Sequence, residues 1–221
     1  FQKALKLKPK NLGTLNHIGE CYERTKSFED AKKYYNNVLE IEPNNASYLV
    51  NKANKLVLLN ENGKALELYN QIIDMYPSDP TSYYNRAKFY AGIDEHNKAL
   101  IDYGKAEGIT KNLSLIKKIH FHRAKSYHAN EDYFNVILDL NKVIDMDPND
   151  FYAYKNRALA YLEMEKYNNA IDDFEKTLQI APDYQSLFSI LAMTYKDIKN
   201  YEKAKLNFEK AISVDPKNFD N

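Results

Sequence analysis

The chain has 221 residues, 31 of them basic and 31 acidic, so its formal net charge is zero. Phosphate binding needs a basic excess, and this balance argues against nucleic acid as a partner. A lone cysteine forbids an internal disulfide, and no apolar run approaches the roughly 18 residues that suggest a membrane span, so membrane insertion is not expected.

Six of the seven prolines (Pro9, Pro43, Pro77, Pro148, Pro182 and Pro216) fall at intervals of 34, 34, 71, 34 and 34 residues. A period between about 20 and 50 residues signals stacked repeats, whose function lies along a surface lined by equivalent positions. Residues 1–11 fit the second helix of a preceding repeat, with Phe1 in an aromatic place, Ala4 packing and Pro9 closing. Full repeats are expected at 12–45, 46–79, 80–116, 117–150, 151–184 and 185–218, with a tail at 219–221. The third carries three extra residues between Gly108 and Ile116. A start in mid-repeat without methionine reads as a piece of a longer array.

Each repeat predicts two antiparallel helices. In the first helix a small residue recurs (Gly19, Ala53, Ala87, Ala124, Ala158, Ala192), and a large one follows three places later (Tyr22, Leu56, Tyr90, Tyr127, Tyr161, Tyr195). The second helix carries Ala31, Ala65, Ala99, Val136, Ala170 or Ala204. Four residues on comes Tyr35, Tyr69, Tyr103, Leu140, Phe174 or Phe208. Spacings of three and four put each pair on one helix face. Small residues let helix axes approach to about 8 Å, and the large ones fill the gaps beside the crossing. Polar turns such as Asn60-Glu61-Asn62-Gly63 join the helices, and proline stops the second one.

Small–x2–Tyr, then Ala–x3–aromatic, then Pro in a 34-residue frame resembles the tetratricopeptide repeat family over nearly the whole chain. Leu15, Leu49, Tyr83, His120, Tyr154 and Phe188 stand where that family usually has tryptophan. The resemblance implies an all-α fold, a right-handed α-α superhelix or solenoid. It also implies that first helices line a concave groove holding extended peptides.

No Gly-rich phosphate loop, His-Glu-x-x-His, paired-cysteine spacing or nucleophile elbow occurs, so neither catalysis nor a cofactor is expected. His120, His122 and His128 lie two, six and eight residues apart, whereas helical metal ligands need three or four; no metal site is expected. Cys21, beside Tyr22, is read as a buried inert thiol compatible with a reducing, cytoplasmic compartment.

The face of the first helices away from the packing pairs presents Asn51, Asn54, Tyr84, Asn85, Lys88, Lys118, Phe121, His122, Lys125, His128, Tyr152, Lys155, Asn156 and Leu159. Asparagine recurs in register at Asn51, Asn85 and Asn156, where His17 and His122 substitute and Ile190 breaks the series. An amide offers both a donor and an acceptor to a strand-like backbone. Lys88, Lys118, Lys125 and Lys155, against Glu163 alone, make the middle basic and suited to an acidic or carboxylate-bearing segment. Tyr84, Phe121 and Tyr152 are candidate anchoring surface.

In the chaperone-binding tetratricopeptide domains, two lysines, two asparagines and an arginine grip a C-terminal carboxylate. Asn54, Asn85 and Lys118 match three of these places, with Val50 and His122 in the other two. Losing the arginine fork argues against such a clamp. The expected function is thus a non-enzymatic interaction scaffold for a protein or peptide ligand. Alternatives are a targeting or regulatory arm of a larger glycosyltransferase- or phosphatase-like enzyme, a co-chaperone, or a self-assembling homo-oligomeric array.

Overall fold

The computed structural model describes residues 12–25, 27, 29–30, 33–34, 37 and 46–214. The expectations for residues 1–11, for Ala31, Tyr35, Pro43 and Pro216, and for the tail lie outside the described residues. Among the described residues there are eleven α-helices and no strand. They are α1 Leu12–Arg24, α2 Ala46–Leu58, α3 Asn62–Met75, α4 Pro80–Gly92, α5 His96–Ile109, α6 Leu113–Ala129, α7 Tyr133–Met146, α8 Phe151–Glu163, α9 Tyr167–Ile180, α10 Leu187–Asp197 and α11 Tyr201–Val214.

The chain forms two compact units, Phe1–Lys111 and Asn112–Asn221. In the first, α2 packs on α3 and α4 on α5, while α4 also packs against α2 and α3. In the second, α6/α7, α8/α9 and α10/α11 are hairpins, and α8 and α10 each pack on the second helix before them. The helical-hairpin reading therefore holds within each unit. The extra residues before the fourth hairpin lengthen its first helix: α6 has 17 residues where α2, α4 and α8 have 13.

Burial follows the small–large code. Ala53, Ala65, Ala87, Ala99, Ala158, Ala170 and Ala192 are wholly buried at helix crossings. Tyr69, Tyr103, Leu140 and Phe174 fill the spaces beside them, at 1% exposure or less. A buried side chain of this size stabilises by about 1.5–3 kcal/mol, so the repeated pairs account for much of the core. Cys21 departs from expectation: its thiol is exposed, because the helix turns it away from the face that Leu15, Ile18 and Gly19 bury.

The turn inside each hairpin has one geometry. Asn60, Asp94, Glu131, Glu165 and Lys199 adopt φ of 57–60°. In each case the next residue donates its N–H back to the carbonyl five positions earlier, as Glu61 does to Leu56 at 2.8 Å and Asp132 to Tyr127 at 2.9 Å. This is the Schellman ending, built here without glycine. Entry into the first helices is capped by side chains. Asp79 accepts from the Thr81 and Ser82 amides, Asn112 from Leu115 and Asp150 from Ala153.

A guanidinium ties helices together in three of the hairpins. Arg86 on α4 donates twice to Asp102 on α5, at 2.6 and 2.8 Å, and once to Asn70 on α3 at 2.7 Å. Arg157 on α8 repeats this with Asp173 on α9, both bonds at 2.7 Å, and with Asn141 on α7. Arg123 on α6 pairs with Asp139 on α7 at 2.7 Å through both nitrogens. Paired forks of this kind are the strong form of charge-assisted hydrogen bond.

Candidate functional site

In the second unit the first-helix face opens into a pocket of about 220 Å³. Its wall is a stripe of α6 residues spaced three and four apart: Phe121, Ala124, Lys125, His128 and Ala129. Val136 and Leu140 of α7 form the buried floor, and Asn156 and Leu159 of α8 close the far side. Lys125 extends its ammonium over the Phe121 ring at 4.8 Å. The lining is mostly apolar, with an amide and a cation at the edge. Such a site takes an apolar side chain and orients its polar neighbours.

The cause of the pocket is Leu140. At the equivalent place the first unit has Tyr69 and Tyr103. The Tyr69 hydroxyl donates across to Asn54 on α2, and the Tyr103 ring packs 6.2 Å from that of Tyr84 on α4. Asn54 corresponds to Lys125 in the repeat frame, so a phenol at position 140 would reach the wall that Lys125 now lines. Leucine stops short of it and leaves the space open.

In the first unit side-chain hydrogen bonds lace the same face together. Asn54 donates to the Asn85 side-chain oxygen at 3.5 Å while accepting from Tyr69, and the Asn85 amide donates to the Thr81 carbonyl at 2.8 Å. Asn51 is half-buried beside them. Tyr84 requires a correction: it is only 8% exposed, wedged against Tyr103 with Lys88 over its ring at 5.7 Å, and offers no anchoring surface. Burial pushes its phenol up to about 12.

Lys155 also departs from expectation. Half-buried, it donates to the Tyr184 hydroxyl at 3.1 Å and lies 5.3 Å from that ring, so its charge is held by an aromatic group. Tyr152, 48% exposed, joins Phe151 and Tyr184 in an aromatic cluster at the start of α8. Lys118 is exposed near the start of α6, and its neighbour Lys117 bridges Asp147 at 2.6 Å and Asp150 at 3.0 Å. His122 stands edge-on to Phe121 at 5.7 Å. Of the chaperone-type set, Asn54 and Asn85 lie in one unit and Lys118 in the other.

His120 sits 2% exposed in the tryptophan place, with Nδ1 at 2.8 Å from Asp139 and 3.1 Å from Arg123. Burial pushes the Asp139 carboxyl up, but hydrogen bonds from Arg123 and His120 outweigh it and hold the group below the usual carboxylate range. Asp173 has Arg157 alone among these donors, and there burial wins and the carboxyl is raised. Among the described residues, no group of three or more His, Cys, Asp or Glu side chains is placed to hold a metal ion. No helix among them is long and apolar enough to cross a membrane.

Tetratricopeptide repeat models match residues 13–45, 151–184 and 186–218. The chain belongs to the tetratricopeptide repeat family. No curated protein matches the sequence. Solved structures share the fold at low identity. PilW, a type IV pilus biogenesis factor, matches with a TM-score of 0.82 at 15% identity over 93% of this chain and 94% of its own. A MamA double mutant gives 0.71 at 16%, over 80% and 97%. YrrB, a tetratricopeptide repeat protein with an unusual peptide-binding site, gives 0.69 at 21%, over 83% and 93%. This tetratricopeptide repeat chain is a helical repeat scaffold.

Proposed function

We propose that the scaffold binds an extended protein segment along the first-helix face of its second unit, seating one bulky apolar side chain in the α6/α7/α8 pocket. The observation that carries this reading is the pocket itself, apolar at its floor and edged by Lys125 and Asn156. Asn156 supplies a donor and an acceptor for a peptide backbone, and Lys125 with the exposed Lys118 favours an acidic or carboxylate neighbour. YrrB, similar in fold, has a peptide-binding site of its own, which supports a peptide as the ligand class.

A random peptide library displayed on phage and selected against the full chain tests it. Enriched peptides are expected to carry a large apolar residue flanked by Asp or Glu. Leu140→Tyr should weaken them about tenfold by filling the pocket, and Asn156→Ala should weaken them severalfold. Enrichment of basic peptides, or affinity indifferent to Leu140→Tyr, rejects the reading.

A further inference from the structure

Elsewhere in the second unit, α9, α10 and α11 border a groove of about 420 Å³ whose lining includes Glu175, Phe188, Leu191, Tyr195 and Asn207 together with Lys203 and Lys210. Its position in the repeat frame identifies it. Thirty-four residues earlier the first five of these places are Asn141, Tyr154, Arg157, Tyr161 and Asp173, which are the arginine clamp and its surroundings. In that clamp the guanidinium lies 5.5 Å from the Tyr154 ring, and in the α4 clamp Arg86 lies 5.8 Å from both Tyr83 and Tyr90. The last hairpin keeps the two rings, as Phe188 and Tyr195, and keeps an acceptor at both former sites. The carboxylate has moved to the preceding helix as Glu175, and the amide to its own helix as Asn207. Only the arginine is gone, with Leu191 in its place.

We propose that this groove is a docking site for an arginine side chain presented by a protein partner. The internal clamps show what the constellation recognises: a planar cation stacked on aromatic faces and donating to oxygens on two neighbouring helices. Glu175 Oε1 accepts from the Tyr195 hydroxyl at 2.5 Å, which fixes the carboxylate against the ring. The Asn207 amide nitrogen donates to the Lys203 carbonyl at 2.9 Å, which leaves its oxygen on the acceptor side. The ring faces already attract cations. Lys203 lies 5.0 Å from Tyr195 and Lys210 lies 5.4 Å from Phe188, both reaching in from exposed positions on α11. Lys203 also donates to the Tyr195 hydroxyl at 3.3 Å. Both lysines are strongly hydrated point charges on flexible stems that an incoming fork displaces, since a planar guanidinium stacks on a ring while donating through a rigid fork.

The test is an NMR titration of the full chain with N-acetyl-arginine methylamide, using the blocked lysine and glutamate as controls. Saturable shifts are expected at residues 175, 188, 195 and 207 and not at Phe121 or Leu159, which separates this site from the peptide pocket. Blocked arginine should bind at least threefold tighter than blocked lysine. Glu175→Gln should weaken it about tenfold. Leu191→Arg should rebuild the internal clamp and abolish binding; if that variant fails to fold, Glu175→Gln and Phe188→Ala carry the decision. Tighter binding of blocked glutamate, shifts that survive Glu175→Gln unchanged, or no saturable shift overturns the proposal.

Discussion

The first-helix faces of the two units are built from the same repeat positions, yet different side chains lie beneath them. In the first unit Tyr69 and Tyr103 rise from the second helices and occupy the space beneath Asn54 and Tyr84, and the amides satisfy one another. In the second, Leu140 leaves that space to a pocket. The difference teaches that the residues lining a repeat surface do not alone decide what it can bind. The side chain one layer below decides whether they are spent internally or offered to a ligand.

The largest expected effect tests the scaffold beneath both faces. Arg157→Ala strands Asp173, whose side chain is 8% exposed, and breaking a buried pair of this kind costs about 3–5 kcal/mol. Urea unfolding should show that loss, and Arg86→Ala should match it in the first unit; a cost below about 1 kcal/mol for either would remove the clamp from the account. Next comes the converse of pocket filling. Tyr69→Leu deletes a buried phenol and its bond to Asn54, costing about 2 kcal/mol, and opens in the first unit a counterpart of the second unit's pocket. Titration with indole, followed by NMR at Asn54 and Asn85, reads the opening, and silence there refutes Leu140 as the cause.

A smaller effect concerns pH. Asp139 has a folded-state carboxyl held below its ordinary value, so its stabilisation is complete above about pH 3.9 and disappears as pH falls through the folded value. Asp173 is raised, so its contribution has the opposite sign, present below about pH 3.9 and lost as pH rises through its folded value. Asp139→Asn should therefore flatten the acid limb of a stability–pH curve and Asp173→Asn steepen it; equal slopes count against the assignment. The smallest effect lies in the turns. Asparagine tolerates the left-handed region better than glutamate, so Glu131→Gly should gain up to about 1 kcal/mol and Asn60→Gly less. Equal thermal shifts contradict that ordering.

Much of the architecture was legible because it is written in spacing. The buried alanines and the Tyr69, Tyr103, Leu140 and Phe174 fillers lie where a three-and-four rhythm puts them. His120 packs in the tryptophan place for the same reason. Availability was not legible. Tyr84 and Lys155 sit at positions that face a groove, but partners from other segments, Tyr103 and Tyr184, cover or hold them. Leu140 was visible as a member of the filler series, while the space it leaves depends on three helices at once. The clamps leave a trace that periodicity in apolar residues misses: Arg86, Arg123 and Arg157 each have an aspartate sixteen residues on. A search for opposite charges recurring in register finds them.

The clamps also bear on how the molecule yields to load. Arg86 and Arg157 each fasten their own helix to one on either side, so a tether pulling on either of those hairpins must tear several charged bonds in a single event. The α10/α11 hairpin has Leu191 at that post and offers no such fastening. Drawn from the carboxyl end, it should peel away first and at low force, ahead of a much stiffer α8/α9 step.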